Sequence, residues 1–225
     1  MYGRFIMFNK IDTKSWPRAE VFYYFFKMAP TGYSMTVNVD ITGLIRQTRE
    51  RGLKFFPAYL WLVTRNLNRQ QEFKCAIRDG ELGYYDTLTP LYASWHDDTK
   101  TFSFMWTEYS DSFKEFYDAY CHNQTEYTDR HGVLGRPGTP PENAYTVSAV
   151  PWVEFTHFAV HSYENKPYFF PSIEAGKYHN EGDRVIMPLS LTCHHATTDG
   201  WHIVGFLEDL ENDINHFSEI IGEIE

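Results

Sequence analysis

The segment with the most chemical potential is HHATTDG at residues 194–200, near the C-terminus. It follows an apolar run at residues 186–193 that predicts a strand, and Gly200 permits a sharp turn into a helix beginning near Trp201. Neighbouring side chains of an extended segment point to opposite faces, so we do not expect His194 and His195 to face one site together.

A histidine at a strand end suits general-base catalysis, because the unperturbed pKa of an imidazole, about 6.5, lies near the pH at which enzymes usually work. A surface histidine–aspartate pair would produce the same H-x-x-x-D spacing. The motif alone therefore leaves a catalytic and a structural interpretation open.

Other reactive side chains support weaker hypotheses. The chain has ten histidines, but no predicted helix carries an H-x-x-x-H or H-E-x-x-H pair. We therefore expect no metal, with metal-assisted hydrolysis as an open alternative. Cys193 could act as a nucleophile, but the last residue of an apolar strand is expected to be a buried, unreactive thiol.

Composition narrows the classes of protein that fit. The 225 residues are 43% hydrophobic and 22% charged, which is typical of a folded soluble domain. The net charge of −10 argues against nucleic acid or an anionic membrane as a partner. Aromatic residues make up 18%, so we expect a large core and at least one aromatic cleft or interface.

Cysteine content and apolar runs indicate a cytoplasmic location. The three cysteines do not form a disulfide framework. Arg4 and Lys10 interrupt the first apolar residues, so no signal peptide is predicted. The longest apolar stretch, at residues 55–64, is about half a membrane span.

Local patterns predict one domain over residues 1–225, because no linker, charge block or repeat divides the chain. Helices are predicted at residues 19–28 (with Ser15 as cap), 41–51, 57–68, 112–121 and 203–217. Strands are predicted at residues 33–40, 73–78, 81–85, 91–95, 101–106, 145–150, 155–161, 168–175 and 185–193, with a long loop at 131–143. This order predicts an α+β fold, a two-layer sandwich with a mixed, largely antiparallel sheet. It leaves open whether residues 218–225 are ordered.

Several motifs together resemble the chloramphenicol acetyltransferases, the trimeric type that uses acetyl-CoA. HHATTDGWH at residues 194–202 is similar to the HHAVCDGFH signature of that family. Further similar segments occur in family order at residues 11–18, 33–42, 78–86, 101–103, 147–152 and 176–178. The resemblance covers residues 5–217 and implies the fold of CoA-dependent acyltransferases.

The resemblance implies which residues carry the reaction. His195 matches the general base, which takes a proton from an acceptor hydroxyl as that oxygen attacks the thioester carbonyl of acetyl-CoA. Ser148 matches a serine that donates to the oxyanion, although a serine in a strand is ordinarily bonded to backbone. Asp199 and Arg18 match an ion pair that holds the catalytic turn against the first helix.

The resemblance also implies a coenzyme A channel lined by Trp152, Lys177, Tyr178 and Lys54. Cationic side chains suit phosphates, and aromatic faces suit the adenine and pantetheine groups. Taken singly, each residue is an ordinary surface lysine or core aromatic.

The acceptor pocket, expected at Tyr24, Phe25, Thr31 and Glu174, departs from the family. Glu174 stands where threonine is common, and Phe25 stands where tyrosine is common. Thr31, Tyr92 and Thr146 also differ from the usual residues around the drug. Outside this pocket, Phe56 stands where a tyrosine commonly reaches toward the coenzyme, and Thr197-Thr198 replaces Val-Cys in the signature.

The resemblance implies O-acetylation of chloramphenicol, hence antibiotic resistance, by a homotrimer with active sites at subunit interfaces. The altered pocket leaves two alternatives, the same chemistry on another hydroxyl acceptor and a non-catalytic small-molecule-binding relative.

Overall fold

A computed structural model describes residues 6–161 and 168–222. Its helices are α1 (Ala19–Tyr23, continued by a π-helical turn over Tyr24–Met28), α2 (Thr42–Glu50), α3 (Phe55–Arg69), α4 (Phe113–Tyr127), α5 (Gly200–Asn215) and α6 (Phe217–Ile221). Its strands are β1 (Phe8–Lys10), β2 (Gly32–Asp40), β3 (Cys75–Arg78), β4 (Glu81–Tyr85), β5 (Thr89–His96), β6 (Thr101–Trp106), β7 (Ala144–Val150), β8 (Ser172–Gly176), β9 (His179–Glu181) and β10 (Arg184–His194).

The described strands form a large mixed sheet in the order β2-β10-β8-β7-β5-β6, with β9 also paired to β10. The pairs β5–β7 and β7–β8 are parallel, and the other pairs of this sheet are antiparallel. A smaller antiparallel sheet has the order β1-β4-β3. The mixed, largely antiparallel α+β architecture expected from the sequence is confirmed.

One face of the large sheet packs against the helices. Helix α3 lies at the centre of this layer, and its residues from Pro57 to Thr64 are all buried. The Thr64 hydroxyl lies 2.7 Å from the Tyr145 hydroxyl, which joins α3 to β7. Asp213 on α5 is buried and accepts hydrogen bonds from Arg69 on α3 at 2.9 and 3.0 Å. These buried contacts hold the helices against one face of the sheet, and the site is built on that sheet.

The opposite face is polar, and an irregular segment covers part of it. The strand predicted at residues 155–161 is wrong, because this stretch crosses the face of the sheet instead of joining its edge. Its backbone bonds to side-chain hydroxyls: the N–H of Phe158 to Thr36 and the N–H of Val160 to Thr192, both at 3.4 Å. Residues 162–167, which follow, lie outside the described part.

Other boundaries shift for local reasons. The hairpin predicted at Asp79-Gly80 is confirmed between β3 and β4, with both residues at positive φ. Ser15 does not cap α1, because its hydroxyl bonds to Asp12 three residues earlier. Strand β8 starts at Ser172 and not at residue 168, because Pro171 has no N–H for a ladder.

The C-terminal region extends further than the predicted helix. Helix α5 begins at Gly200, and α6 follows it through Ile221, while residues 223–225 lie outside the described range. Among the described residues, no helix is both long and apolar enough to cross a membrane.

Candidate active site

Arg18 anchors the turn between β10 and α5. Its guanidinium donates to the carbonyl oxygens of His195 and Ala196, each at 3.0 Å, and to Oδ2 of Asp199 at 2.7 Å. Burial alone would favour protonated Asp199, but the hydrogen bond from Arg18 and the nearby charges of His202 and Arg18 lower its pKa. The ion pair expected between Arg18 and Asp199 is thus present as a contact.

Asp199 also starts α5. Its side chain accepts a hydrogen bond from the N–H of Trp201 at 3.1 Å and so caps the helix. One carboxylate therefore joins the helix N-terminus to Arg18, which fixes both ends of the turn that carries His195.

Hydrogen bonding sets the tautomer of His195. Its Nδ1 lies 3.0 Å from the carbonyl oxygen of Thr198, which can only accept a hydrogen bond. Nδ1 therefore carries the proton, and Nε2 presents a lone pair. This is the arrangement that a general base requires.

Three residues around the imidazole hold it in place. The ring of Phe25 stacks on it with centroids 4.0 Å apart, and the ring of Tyr33 contacts it edge-on at 5.1 Å. The backbone carbonyl of Thr31 accepts a hydrogen bond from the N–H of His195 at 2.9 Å. Phe25 and Thr31, both expected in the acceptor pocket, thus lie beside His195, while Tyr24 packs against Phe25 and is half exposed.

His194 has a different environment from His195. Its Nδ1 accepts a hydrogen bond from the N–H of Ala196 at 3.1 Å, and its ring packs edge-on against Phe169. Burial and the neighbouring His195 lower its pKa, so it is held neutral. Cys193 is buried, which raises the pKa of its thiol to about 12 and disfavours the thiolate.

Ser148 and Glu174 are aligned on the polar face of the sheet. The register of β7 and β8 places them directly opposite each other. Glu174 is fully buried, and its Oε1 accepts a short hydrogen bond from Ser172, which in turn accepts one from Thr146 at 2.9 Å. Its other carboxyl oxygen has no partner among the described residues.

The buried Glu174 carboxyl remains partly protonated near pH 7. Burial raises its pKa to about 7, although the hydrogen bond from Ser172 opposes this shift. The Ser148 hydroxyl beside it has no hydrogen-bond partner within residues 6–161 and 168–222. This row of the sheet therefore offers two hydrogen-bond donors, the Ser148 hydroxyl and the protonated form of the Glu174 carboxyl.

Within one chain, these two residues do not reach His195. Ser190 pairs with Glu174, and His194 lies four residues further along β10. Two strand spacings and four residue steps separate Ser148 from His194 by roughly 17 Å. Because side chains alternate, His195 also points to the opposite face from Ser148, as its contact with Tyr33 indicates.

A cavity of about 800 Å³ opens between the end of β10 and the polar face. Thr31, Thr146, Ser172 and His194 contribute to its lining. Tyr92, expected around the acceptor, instead lies in the core, where its ring is 5.4 Å from Tyr120. Its register partner Val147 is on the helix-facing side of the sheet, which explains this placement.

The four residues expected to bind coenzyme A come from three neighbouring segments. The ring of Tyr178 contacts that of Phe55, which follows Lys54 at the start of α3. The N–H of Lys177 donates to the carbonyl of Val153, the residue after Trp152. Both lysines and the rings of Trp152 and Tyr178 are exposed. No side chain caps α3, so the N–H groups of Phe55 and Phe56 can be offered to an anion, while Pro57 has no N–H.

Two contributions to the site were not predictable from residue types. The carbonyl of Thr198 sets the His195 tautomer, and every residue has a carbonyl. Ser172 contacts Glu174 only because β8 is extended there, and an isolated serine carries no such signal in the sequence.

Comparison with known proteins identifies the class. The family model for chloramphenicol acetyltransferase matches residues 6–211. A chloramphenicol acetyltransferase of Clostridium perfringens is 42% identical over 93% of this chain and 100% of its own length, and one of Clostridioides difficile is 41% identical over 92% and 95%. A solved chloramphenicol acetyltransferase has a TM-score of 0.81 at 26% identity, covering 92% of this chain and all of the other.

The fold, the turn that carries His195 and the sequence similarity together define the protein as an acyltransferase. More particularly, the chain belongs to the chloramphenicol acetyltransferase family.

Proposed function

We propose that this protein transfers the acetyl group of acetyl-CoA to a hydroxyl of chloramphenicol, with His195 as the general base. The observation that carries the proposal is the fixed tautomer of His195, whose Nδ1–H is engaged by the Thr198 carbonyl. Acetylation of the drug would make the chain an antibiotic-resistance enzyme, acting in the cytoplasm.

The reaction proceeds in two steps without an acyl-enzyme. Nε2 of His195 takes the proton of the acceptor hydroxyl as its oxygen bonds to the thioester carbonyl carbon. The Ser148 hydroxyl donates a hydrogen bond to the resulting oxyanion. Collapse of the tetrahedral intermediate breaks the carbon–sulfur bond, and the departing thiolate receives the proton from the imidazolium.

The acceptor site is completed by a second subunit. The separation of roughly 17 Å between Ser148 and the end of β10, together with their opposite faces, prevents the two residues of one chain from acting on one carbonyl. We propose a homotrimer in which His195 of one subunit faces the polar row of its neighbour. Such a ring uses one repeated head-to-tail interface.

Acetyl-CoA binds at the exposed start of α3. Lys54 and Lys177 pair with its phosphates, assisted by the uncapped helix N-terminus. Trp152 and Tyr178 pack against its adenine and pantetheine groups. A metal ion has no role in these steps.

The reaction is tested by thiol release from acetyl-CoA, followed with a chromogenic thiol reagent with and without chloramphenicol. Loss of a general base lowers kcat by about 10²–10⁴-fold, so His195→Ala should lose that much. His216→Ala is the matched control, because His216 Nδ1 also contacts a carbonyl, that of Asn212 at 2.9 Å, but on the exposed end of α5. Unchanged turnover in His195→Ala would remove the imidazole from the mechanism.

The shared site is tested by mixing inactive variants. His195→Ala and Ser148→Ala chains, refolded together in equal amounts, should recover about a quarter of the wild-type sites, since an interface then pairs one intact residue from each chain. Refolding either variant alone should recover none. Failure of the mixture, with native mass spectrometry showing that mixed trimers form, would place both residues in one subunit.

A second acceptor class is favoured by one observation, the buried Glu174 with an unpartnered carboxyl oxygen. The protonated form of this carboxyl can donate a hydrogen bond to an oxygen of a different hydroxyl acceptor. The same thiol assay with a panel of alcohols separates the two proposals. Thiol release with another alcohol and none with chloramphenicol would retain the mechanism and replace the substrate.

A further inference from the structure

A cluster of metal-ligating side chains lies at the end of the sheet opposite His195. His96 is the last residue of β5, Asp98 lies in the β5–β6 turn, and His131 lies in the loop after α4. One ligand atom from each residue lies within 4.8 Å of the other two. No step of the proposed reaction uses these three side chains.

His96 is held in one tautomer, as a metal ligand commonly is. It is buried, and its Nε2 lies 2.7 Å from the hydroxyl of Ser103. That hydroxyl also lies 2.9 Å from the carbonyl of Arg130 and 2.7 Å from the carbonyl of Gly132, so its single proton is already donated. Nε2 of His96 must therefore donate, which leaves the lone pair on Nδ1.

This arrangement is what metal sites use to fix a histidine. A ligating imidazole commonly donates its second N–H to a carbonyl, hydroxyl or carboxylate, which sets the tautomer and the ring orientation. In this protein the partner of that bond, Ser103, is itself held by two carbonyls. The buried half of the site is thus rigid without an ion.

The exposed half supplies the other two ligands. The ring of His131 stacks on that of His96 with centroids 4.3 Å apart, and its Nε2 lies 3.3 Å from Oδ2 of Asp98. Its Nδ1 is 3.5 Å from the hydroxyl of Thr99. Asp98 also accepts from the N–H of Thr99 at 2.8 Å, which orients the carboxylate.

Only small movements separate this cluster from a coordination shell. Zinc bonds of about 2.1 Å place two ligands about 3–4 Å apart. The exposed side chains of Asp98 and His131 can close the remaining distance of about 1 Å, with the imidazole of His131 turning its lone pair towards the ion.

We propose that His96, Asp98 and His131 bind one divalent transition-metal ion, for which Zn²⁺ is the probe, with water as the fourth ligand. Two imidazoles and a carboxylate suit Zn²⁺, Ni²⁺ or Cu²⁺ and do not suit Mg²⁺ or Ca²⁺. The ion joins the β5–β6 turn to the loop that follows α4. The site is structural and lies on the other face of the sheet from Trp152, which packs on the neighbouring Trp95.

The site should stiffen the exposed edge of the sheet. The loop that carries His131 already contacts β6, through the N–H of Phe104 to the carbonyl of Val133 at 2.8 Å. An ion bound to both the β5–β6 turn and this loop adds a second link between them beside that hydrogen bond. Saturation at about 100 times the dissociation constant should raise Tm by about 5–10 °C for a domain of this size.

The test is a Zn²⁺ titration of the whole chain in competition with a chromogenic chelator, with thermal melts in parallel. Wild type should bind one Zn²⁺ per chain, and Mg²⁺ should not compete. His131→Gln and Asp98→Asn should each weaken binding at least tenfold and reduce the Zn²⁺-dependent rise in Tm to about half or less at the same Zn²⁺ concentration. His122→Ala, which removes an exposed histidine on α4 outside the cluster, should bind as wild type does.

Two results would overturn the proposal. Zn²⁺ binding that is unchanged in both His131→Gln and Asp98→Asn would place the ion elsewhere, and no binding at 1 mM Zn²⁺ would reduce the cluster to a histidine–aspartate ion pair. Equal Tm values of wild type and both variants in a chelator establish that lost binding does not reflect unfolding. Thiol release from acetyl-CoA should be the same in wild type and in both variants, so the result of the metal-binding test does not depend on the proposed reaction.

Discussion

Replacing Arg18 by alanine removes three hydrogen bonds at once from the turn that carries His195. Two of them end on the carbonyls of His195 and Ala196, and the third ends on Asp199. The turn would keep its internal bonds from the N–H groups of Thr197 and Thr198 to the His194 carbonyl. It would lose its attachment to the segment that precedes α1.

The size of the effect follows from burial. The Arg18 side chain is 13% exposed and that of Asp199 is 36% exposed. Removing one partner of a buried ion pair costs about 3–5 kcal/mol of unfolding free energy, and the partial exposure of Asp199 places the expected loss near 3 kcal/mol. For a domain of this size, that loss lowers Tm by about 6–12 °C.

The assay compares two arginines with the same ion-pair distance. Arg184 contacts Glu181 at 2.7 Å, as Arg18 contacts Asp199, but its side chain and that of Glu181 are 57% and 60% exposed. Arg184→Ala should therefore cost about 0–1 kcal/mol. Urea titrations of both variants give the free energies, and thiol release gives kcat, which should fall about 10–100-fold in Arg18→Ala only.

Equal losses of stability in Arg18→Ala and Arg184→Ala would refute the reasoning. So would a destabilised Arg18→Ala variant with wild-type kcat, since the bonds would then hold the fold but not the position of His195. Arg18→Lys sharpens the comparison, because an ammonium keeps the charge but lacks the planar fork that serves three acceptors. It should recover only part of the stability.

Three further outcomes are expected. Glu174→Gln should remove a pH dependence of stability. Burial raises the pKa of the Glu174 carboxyl to about 7 in the folded state, so this group stabilises the wild-type fold less as pH rises from about 4.5 to above 7. The variant should therefore gain about 2.5 kcal/mol on wild type between pH 5 and pH 8. Gly176→Ala should cost about 1–3 kcal/mol, because its Cβ would lie 2.6 Å from Pro188 and 2.8 Å from Phe155. Lys177→Ala should raise KM for acetyl-CoA about tenfold with kcat unchanged, through a lost phosphate contact.

Each of these has a matched control and a contrary result. Glu181→Gln removes an exposed carboxylate and should leave the pH profile of stability unchanged. An added Cβ at Gly200 meets nothing within 4 Å, so Gly200→Ala should retain wild-type stability. Lys14→Ala removes an exposed lysine of the segment before α1 and should leave KM unchanged. Three results would contradict these expectations: a difference in stability between wild type and Glu174→Gln that does not change with pH, wild-type stability in Gly176→Ala, or an unchanged KM for acetyl-CoA in Lys177→Ala.

Much of the architecture could be predicted from local pattern. The alternation of polar and apolar residues at 33–40 predicts β2, and the apolar run before the histidine pair predicts β10. These predictions succeed because the burial of a strand determines its residue pattern: burial of one face gives alternating polar and apolar residues, and burial of both faces gives a continuous apolar run. Residues 155–161 have a similar composition but form no strand, since they bond to hydroxyls on a sheet that has already been assembled.

The contents of the site were only partly predictable. The motif indicates His195, and the resemblance pairs Arg18 with Asp199, a contact that is present. Tyr92 was expected around the acceptor, and the register of β5 against β7 buries it in the core instead. Nothing in the sequence relates His96 to His131, 35 positions apart, before β6 and the loop after α4 bring them into contact.

The sequence by itself determined the strand that ends at His194, the turn after it and the family to which they belong, because these depend on residues close together in the chain. Only the tertiary structure decided that the Thr198 carbonyl engages Nδ1 of His195, that burial raises the pKa of Glu174 to about 7, and that Ser148 lies on the opposite face from His195. Each of these depends on a backbone carbonyl, on burial by other segments or on the register between strands. Such contacts are set by the tertiary fold and produce no repeating pattern in the sequence.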